Sequence, residues 1–104
     1  MTEQTISSLE VADMVEKQHK NLLRDITKYN EELNQLKIEP VEFFRASTYR
    51  DGKGEIRPCF DITKKGCEFI AHKCTGRKGT VFTARYINRF HEMEHEITGK
   101  RLET

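Results

Sequence analysis

Hydrophobic side chains recur every three or four positions between residues 18 and 36. This spacing predicts a helix with one narrow apolar stripe, because positions three and four apart share a helix face. Upstream, Ser7 and Glu10 fit the N-cap and N3 positions of a capping box, which predicts a shorter helix over residues 8–16. The residues at 17–19 are expected to separate the two helices. The stripe consists of Leu22, Ile26, Tyr29, Leu33 and Leu36.

The pattern changes to a strand pattern after Pro40. Residues 43–50 and 56–62 are rich in β-branched and aromatic side chains, and the segment between them, DGKGE, contains two glycines. Two such runs around a short glycine-containing turn predict a β-hairpin. Pro58 has no backbone N–H, so its strand is expected to be an edge strand or bulged at that point.

Helical spacing returns in the last third of the chain. Thr63 is expected to cap a third helix over residues 64–74, whose inward positions are Phe69, Ile70 and Cys74. The segment TGRKG, at 75–79, is expected to turn the chain before a fourth helix over residues 80–97. The buried stripe of that helix is expected to be Phe82, Tyr86, Phe90, Met93 and Ile97.

The order helix, helix, hairpin, helix, helix predicts an α+β fold, specifically a small winged-helix-like domain. The 104 residues suit one domain over 1–104, with 7–97 structured and 1–6 and 98–104 as flexible tails. No apolar run is long enough to span a bilayer, and the acidic N-terminal segment lacks the apolar core of a signal peptide. An odd number of cysteines, three, without an export signal favours a reduced cytoplasmic location.

The net charge of +1 hides an uneven distribution of charge along the chain. Residues 1–16 carry four acidic side chains and no base, whereas residues 17–78 carry fourteen Lys and Arg against nine Asp and Glu. A nearly neutral protein with a basic middle segment can still present a basic face to nucleic acid.

One face of the second predicted helix is basic. At about 100° per residue, several polar and basic positions lie together opposite the apolar stripe. This arrangement is typical of the second helix of a helix-turn-helix, in which Arg24 would read guanine, Asn21 adenine, and the lysines would bind phosphates. The alternative is an ordinary solvated face. The candidate DNA-binding residues are Lys17, His19, Lys20, Asn21, Arg24 and Lys28.

The predicted hairpin carries further bases around its turn. Arg50, Lys53 and Arg57 suit a wing that contacts the DNA backbone or a minor groove, although a polar hairpin turn is the simpler alternative. Additional candidates for phosphate contacts are Lys64, Lys65, Arg77 and Lys78.

The segment HEMEH, at residues 91–95, matches the H-E-x-x-H pattern of zinc peptidases. A catalytic zinc needs a third protein ligand, and the nine residues after His95 contain no His, Cys or Asp. Upstream ligands remain conceivable, but Cys67 and Cys74 are spaced as core residues of a helix. We therefore expect a solvated helix face that binds nickel or zinc weakly at most, with no metal site. The conceivable upstream ligands are Cys59, Cys67, His72 and Cys74.

No other catalytic pattern occurs: there is no Walker loop, no G-x-S-x-G and no dinucleotide fingerprint. We therefore expect neither enzymatic activity nor a cofactor or small-molecule substrate.

The whole pattern resembles the phage regulatory protein Rha family. The similarity covers residues 7–94, and its most specific segments are SLEVADMVEKQHKNLLRDI, FFRASTYRDGKGEIRPCFDITKKGCEFIAHK and TGRKGTVFTARYINRFHEME. The family is associated with temperate phages and prophages and is regarded as regulatory and DNA-binding, so the resemblance implies a regulator in a bacterial host. The family often has glycine where this chain has Glu16, and its pattern near the end is closer to RFNEME, which makes His91 a local variation.

Two alternatives accompany the interpretation as a double-stranded DNA-binding regulator. The segment GRKG between two helices resembles the G-x-x-G loop with which KH domains bind RNA. The four-three spacing of the second helix also suits a short coiled-coil seam, and hence a protein-interaction module or a homodimer.

Overall fold

The computed structural model describes the backbone of residues 4–103 and the side chains of residues 4–95. It confirms the α+β class, with two helices before a β-hairpin and two after it. No described helix is both long and apolar enough to cross a membrane. The elements are β1 (Thr5–Ser7), α1 (Ser8–Met14), α2 (His19–Gln35), a 3-10 turn (Pro40–Glu42), β2 (Phe44–Arg50), β3 (Ile56–Thr63), α3 (Lys64–Lys73) and α4 (Gly76–Glu103).

The three strands form one antiparallel sheet in the order β1-β3-β2. The strand β1 was not predicted, and it lies partly in the expected N-terminal tail. It pairs only with the last three residues of β3, Asp61–Thr63. At Pro58, therefore, β3 has a described neighbour on one side only, where Pro58 is opposite Thr48 of β2. The prediction of an edge strand is therefore wrong, because β3 is the central strand of the sheet. Pro58 itself lies outside the part of β3 that pairs with β1, where a residue without an N–H is tolerated.

The core lies between the sheet and the helices. Phe44 and Ile62, which pair across the hairpin, are almost fully buried with Leu22 and Ile26 of α2 and Phe82 of α4. One predicted stripe residue, Leu36, is not in the core and is 69% exposed. The helix ends at Gln35, so Leu36 does not continue its buried face. The expected Ile97 contact lies outside the described side chains.

The start of α3 is fixed by tight packing against the segment before β2. The Thr63 hydroxyl donates to the carbonyl of Glu42 (2.7 Å) and accepts the N–H of Gly66 (3.1 Å). A Cβ on Gly66 would lie only 2.2 Å from the carbonyl oxygen of Phe43. The predicted Thr63 cap is therefore confirmed, and a glycine is required one turn later.

The predicted turn at residues 75–79 is too long, although Gly76 does have the left-handed φ, 61°, of a turn glycine. The helix α4 begins at Gly76, so GRKG forms its first turn rather than an open loop. Only Cys74 and Thr75 separate α3 from α4. Since a KH-type clamp requires an exposed loop between helices, the structural basis of the KH alternative is lost.

Candidate nucleic-acid interface

The turn between α1 and α2 is closed by backbone hydrogen bonds. Glu16 adopts a left-handed backbone conformation with φ of 56°. The N–H of Lys17 donates to the carbonyl of Ala12 (2.9 Å), and that of Glu16 donates to the carbonyl of Asp13 (3.2 Å). These are the two bonds of a Schellman motif, which stops α1 and redirects the chain into α2.

His19, the first residue of α2, connects this helix to the sheet. Its Nε2 lies 2.9 Å from the hydroxyl of Ser8, which is fully buried and also accepts the N–H of Phe60 (3.0 Å). Burial lowers the pKa of His19. The imidazole of His19 and the hydroxyl of Ser8 share this hydrogen bond, so this candidate DNA-binding residue has an internal partner.

The ring of His19 also contacts the hairpin. It packs edge-on against the ring of Tyr49, with 5.7 Å between the ring centroids. Tyr49 is the penultimate residue of β2 and precedes Arg50, a candidate wing residue. The first turn of α2 and the end of β2 are therefore neighbours in space.

Three bases form an exposed row along the outer face of α2: Lys20, Arg24 and Lys28. The guanidinium of Arg24 donates to the side-chain oxygen of Asn21 (3.1 Å), so these two candidate base-reading side chains lie together. We call Lys20, Arg24 and Lys28 the basic row.

Lys17 differs from the basic row because it lies in the turn before α2 and has an acidic partner. Its ammonium group is 2.7 Å from the carboxylate of Asp25, and this hydrogen bond raises the pKa of Lys17. A phosphate would have to compete with Asp25 for this ammonium group.

The hairpin tip is organised around Asp51. Its carboxylate accepts the backbone N–H groups of Lys53 and Glu55, both at 2.9 Å, and the Nε of Arg57 at 2.8 Å. The hydrogen bond from Arg57 is the main reason that the pKa of Asp51 is lowered. Arg57 therefore braces the tip.

The side chains of the other two wing candidates are less engaged within the protein and are therefore more available to a phosphate. Lys53 is exposed at the tip, and the guanidinium of exposed Arg50 lies 3.5 Å from the carbonyl of Gly54, at the limit of a hydrogen bond.

The start of α4 lies next to the α1–α2 turn. Lys17 and Lys78 border one cleft of about 250 Å³, whose wall includes Tyr29. Arg77 and Lys78 border a second, of about 260 Å³, together with Glu16. The structure thus brings two of the candidate phosphate contacts close to the helix pair.

The remaining candidates, Lys64 and Lys65, are exposed at the start of α3. Lys65 borders a surface depression with Phe43, Phe69 and His72. No described contact joins this depression to the basic row.

The possible upstream metal ligands do not gather around HEMEH. Cys59 and Cys67 are buried, Cys74 is half-buried, and all three are free thiols. Burial raises the pKa of Cys67 to about 12, so it remains protonated. Within residues 4–95, no group of three or more His, Cys, Asp or Glu side chains is placed to bind one metal ion.

Sequence reasoning missed the link from Ser8 through His19 to the sheet. Ser8 follows the N-cap serine and therefore suggested only a helix start. Its true partners are 11 and 52 residues away along the chain. The one sequence signal for these hydrogen bonds was a small polar residue beside the apolar positions of α1, and this signal is weak.

The chain is similar in sequence to known phage proteins. Residues 6–95 match the family described as phage regulatory protein Rha. The chain is 45% identical over 95 residues to YoqD of Bacillus subtilis (strain 168), an SPbeta prophage-derived protein provisionally named as an antirepressor. The alignment covers 91% of this chain and 38% of YoqD, so the chain spans about two fifths of that relative. No solved structure matches the chain.

Proposed function

The chain belongs to the phage regulatory protein Rha family, and we propose that it regulates by binding double-stranded DNA. In this proposal α2 is the recognition helix and the β2–β3 hairpin is the wing. The observation that carries the proposal is the contact between the rings of His19 and Tyr49, because it joins the start of α2 to the hairpin. Two basic elements from separate parts of the chain are thus available to one duplex.

The recognition helix enters the major groove with its N-terminal half. α2 has 17 residues, which corresponds to a length of about 25 Å, and its buried positions Leu22 and Ile26 hold it to the core. The outward basic row then faces the DNA. Arg24 reads a guanine edge with its planar guanidinium, and Lys20 and Lys28 bind phosphates.

The wing contacts the DNA backbone through Arg50 and Lys53. The bonds from Asp51 to the tip and to Arg57 keep the hairpin in one shape before binding. A preorganised tip loses less conformational entropy when it binds.

Arg77 and Lys78 supply a further backbone contact beside the turn between α1 and α2. Their positions in the first turn of α4 favour an anion, since the backbone N–H groups there lack helical partners. A homodimer of this unit would read two half-sites about 34 Å apart. In this proposal the protein regulates through its affinity for DNA and catalyses no reaction. We propose that it acts in the cytoplasm of the bacterial host.

Substitution of one base in each element tests the proposal. Arg24→Ala is expected to weaken duplex binding and relax sequence preference, because it removes a base contact of about 1–3 kcal/mol. Lys53→Ala should weaken binding to all sequences about equally and lower the salt dependence by about one phosphate contact. Fluorescence anisotropy measures both effects.

Lys37→Ala is the matched control for both substitutions, because Lys37 is exposed just beyond the opposite end of α2. All three variants binding like the wild type would show that the assigned face is wrong.

A protein partner is the second candidate function. The relative YoqD is provisionally named as an antirepressor, and the end of α2 carries an exposed aliphatic surface. Leu36, Ile38 and Val41 are 69%, 41% and 57% exposed within six residues. Apolar groups concentrated in this way are typical of contact surfaces.

Leu36→Ser combined with Val41→Ser tests this alternative. Loss of a phage or host protein from affinity capture, with duplex binding unchanged, would support a partner at this surface. Unchanged capture would exclude this surface as its site.

A further inference from the structure

The outer face of α4 carries a pair of histidines that DNA binding does not use. Phe82, Tyr86 and Phe90 bury the inner side of this helix. At about 100° per residue, His91 and His95 lie on the opposite side. Both are exposed, and with Asn88 and Glu92 they border one open surface depression.

Two imidazoles one helical turn apart can bind the same divalent transition-metal ion. Their chemistry suits zinc, which takes nitrogen ligands at four tetrahedral positions. Glu92 is oriented toward Arg89, with 3.9 Å between the carboxylate and the guanidinium. A closed zinc site has four ligands, and this histidine pair supplies two of them.

The same face has features that suit a second copy of the chain. Ile87, one turn before His91, is 38% exposed, and its neighbour on this face is the small, exposed Ala84. A two-fold axis presents the same patch from both subunits, so two histidine pairs and two exposed isoleucines would meet. The negative charge of the two Glu92 side chains would be offset by the cation.

We propose that His91 and His95 form half of a zinc site, which a second copy of the chain completes with its own pair. Four imidazoles then fill the coordination sphere, and the ion joins two outer faces of α4. The site uses none of the residues assigned to DNA binding, and it would couple two regulators in the presence of zinc.

Sedimentation velocity of the full chain, in zinc chloride and in EDTA, tests the proposal, together with calorimetric titration of zinc. We expect the mass to double with zinc, one ion to bind per two chains, and EDTA to reverse both. His91→Ala and His95→Ala should each abolish the doubling. Each should also weaken zinc binding more than about tenfold, since loss of a mere supporting residue already has that effect.

His72→Ala is the matched control, because His72 is an exposed histidine on α3. It should dimerise like the wild type. One ion per chain without a change in mass, no zinc binding, or an equal mass in zinc and EDTA would each overturn the proposal. Circular dichroism of the α4 variants checks that loss of dimerisation does not reflect unfolding.

Discussion

Glu16 shows how a single backbone conformation defines the helix pair. Its φ of 56° lies in the left-handed region, which costs a residue with a Cβ about 1–2 kcal/mol. The resemblance to the Rha family indicated a glycine here, and the structure gives the physical reason. The family pattern therefore points to the turn, and the two closing hydrogen bonds are local, since they connect Lys17 to Ala12 and Glu16 to Asp13.

Glu16→Gly is expected to raise the free energy of unfolding by about 1 kcal/mol, because glycine adopts this conformation without the steric penalty. Urea denaturation measures the change. Lys37→Gly provides a matched comparison, since Lys37 has φ of 61° at the end of α2 and should give a similar gain.

Only Glu16→Gly should also tighten duplex binding, because it removes a negative charge that borders the same cleft as Lys17 and Lys78. A lower stability of both glycine variants would contradict the backbone argument.

His19 makes stability depend on pH. Its pKa is lowered in the folded state by burial, so the unfolded chain binds a proton first as the pH falls through about 6.5. Above that pH the imidazole is neutral in both states, so it adds no pH dependence to the free energy of unfolding. Below it, the folded state loses stability until the pH reaches the folded pKa, and the loss is then constant.

We therefore expect the stability difference between the wild type and His19→Gln to shrink as the pH falls from about 7.5 to about 5. Urea denaturation across this range measures it, and His72→Gln serves as the control for an exposed histidine. A pH-independent difference for His19→Gln would contradict the lowered pKa of His19 in the folded state.

At the scale of elements, boundaries set by local sequence signals were predicted well, and those set by tertiary contacts were not. The boundaries of α2, α3 and the hairpin were close to those observed, since periodicity, the Thr63 cap and the turn glycines act locally. The strand β1 was missed because its three residues are strands only through pairing with β3. The start of α4 was predicted too late because Gly76 and Gly79 both suggested a turn. Gly76 does have a left-handed φ of 61° where the helix begins, whereas Gly79 lies within the helix.

A tertiary contact also changed the partner of one residue in the predicted capping box. Ser7 is the N-cap of α1 as expected, and its hydroxyl accepts the N–H of Leu9 (3.2 Å). The carboxylate of Glu10, expected in the capping box, instead binds the guanidinium of Arg89 at 2.8 Å. This ion pair connects α1 to α4, and no sequence pattern indicates it.

Gly66→Ala is expected to destabilise the protein by about 3 kcal/mol. Its Cβ would meet the carbonyl oxygen of Phe43 at 2.2 Å and the side chain of Ile62 at 2.7 Å, so α3 would have to shift from its packed position. Urea denaturation tests this value. Gly52→Ala is the control, because nothing lies within 4 Å of its added Cβ and stability should change little. Equal effects of the two substitutions would contradict the close packing at the start of α3.

At the scale of the molecule, the arrangement of charge matters more than its total. The sequence indicated which segments are basic, and the structure distinguishes bases with acidic partners from more available ones. Lys17 and Arg57 contact Asp25 and Asp51, whereas the basic row and Lys53 are exposed. Such pairs depend on how the chain folds back, so spacing alone could not identify them.

Binding of duplex DNA as a function of salt tests the central claim most directly. Fluorescence anisotropy with a random duplex should show the logarithm of affinity falling against the logarithm of salt with a slope of about −5, since about 0.9 counterions are released per phosphate contact. This value assumes phosphate contacts from six bases: Lys20, Lys28, Arg50, Lys53, Arg77 and Lys78. Single-stranded RNA should bind more weakly. No duplex binding at low salt would contradict the account, and the exposed surface around Leu36 would then become the leading functional site.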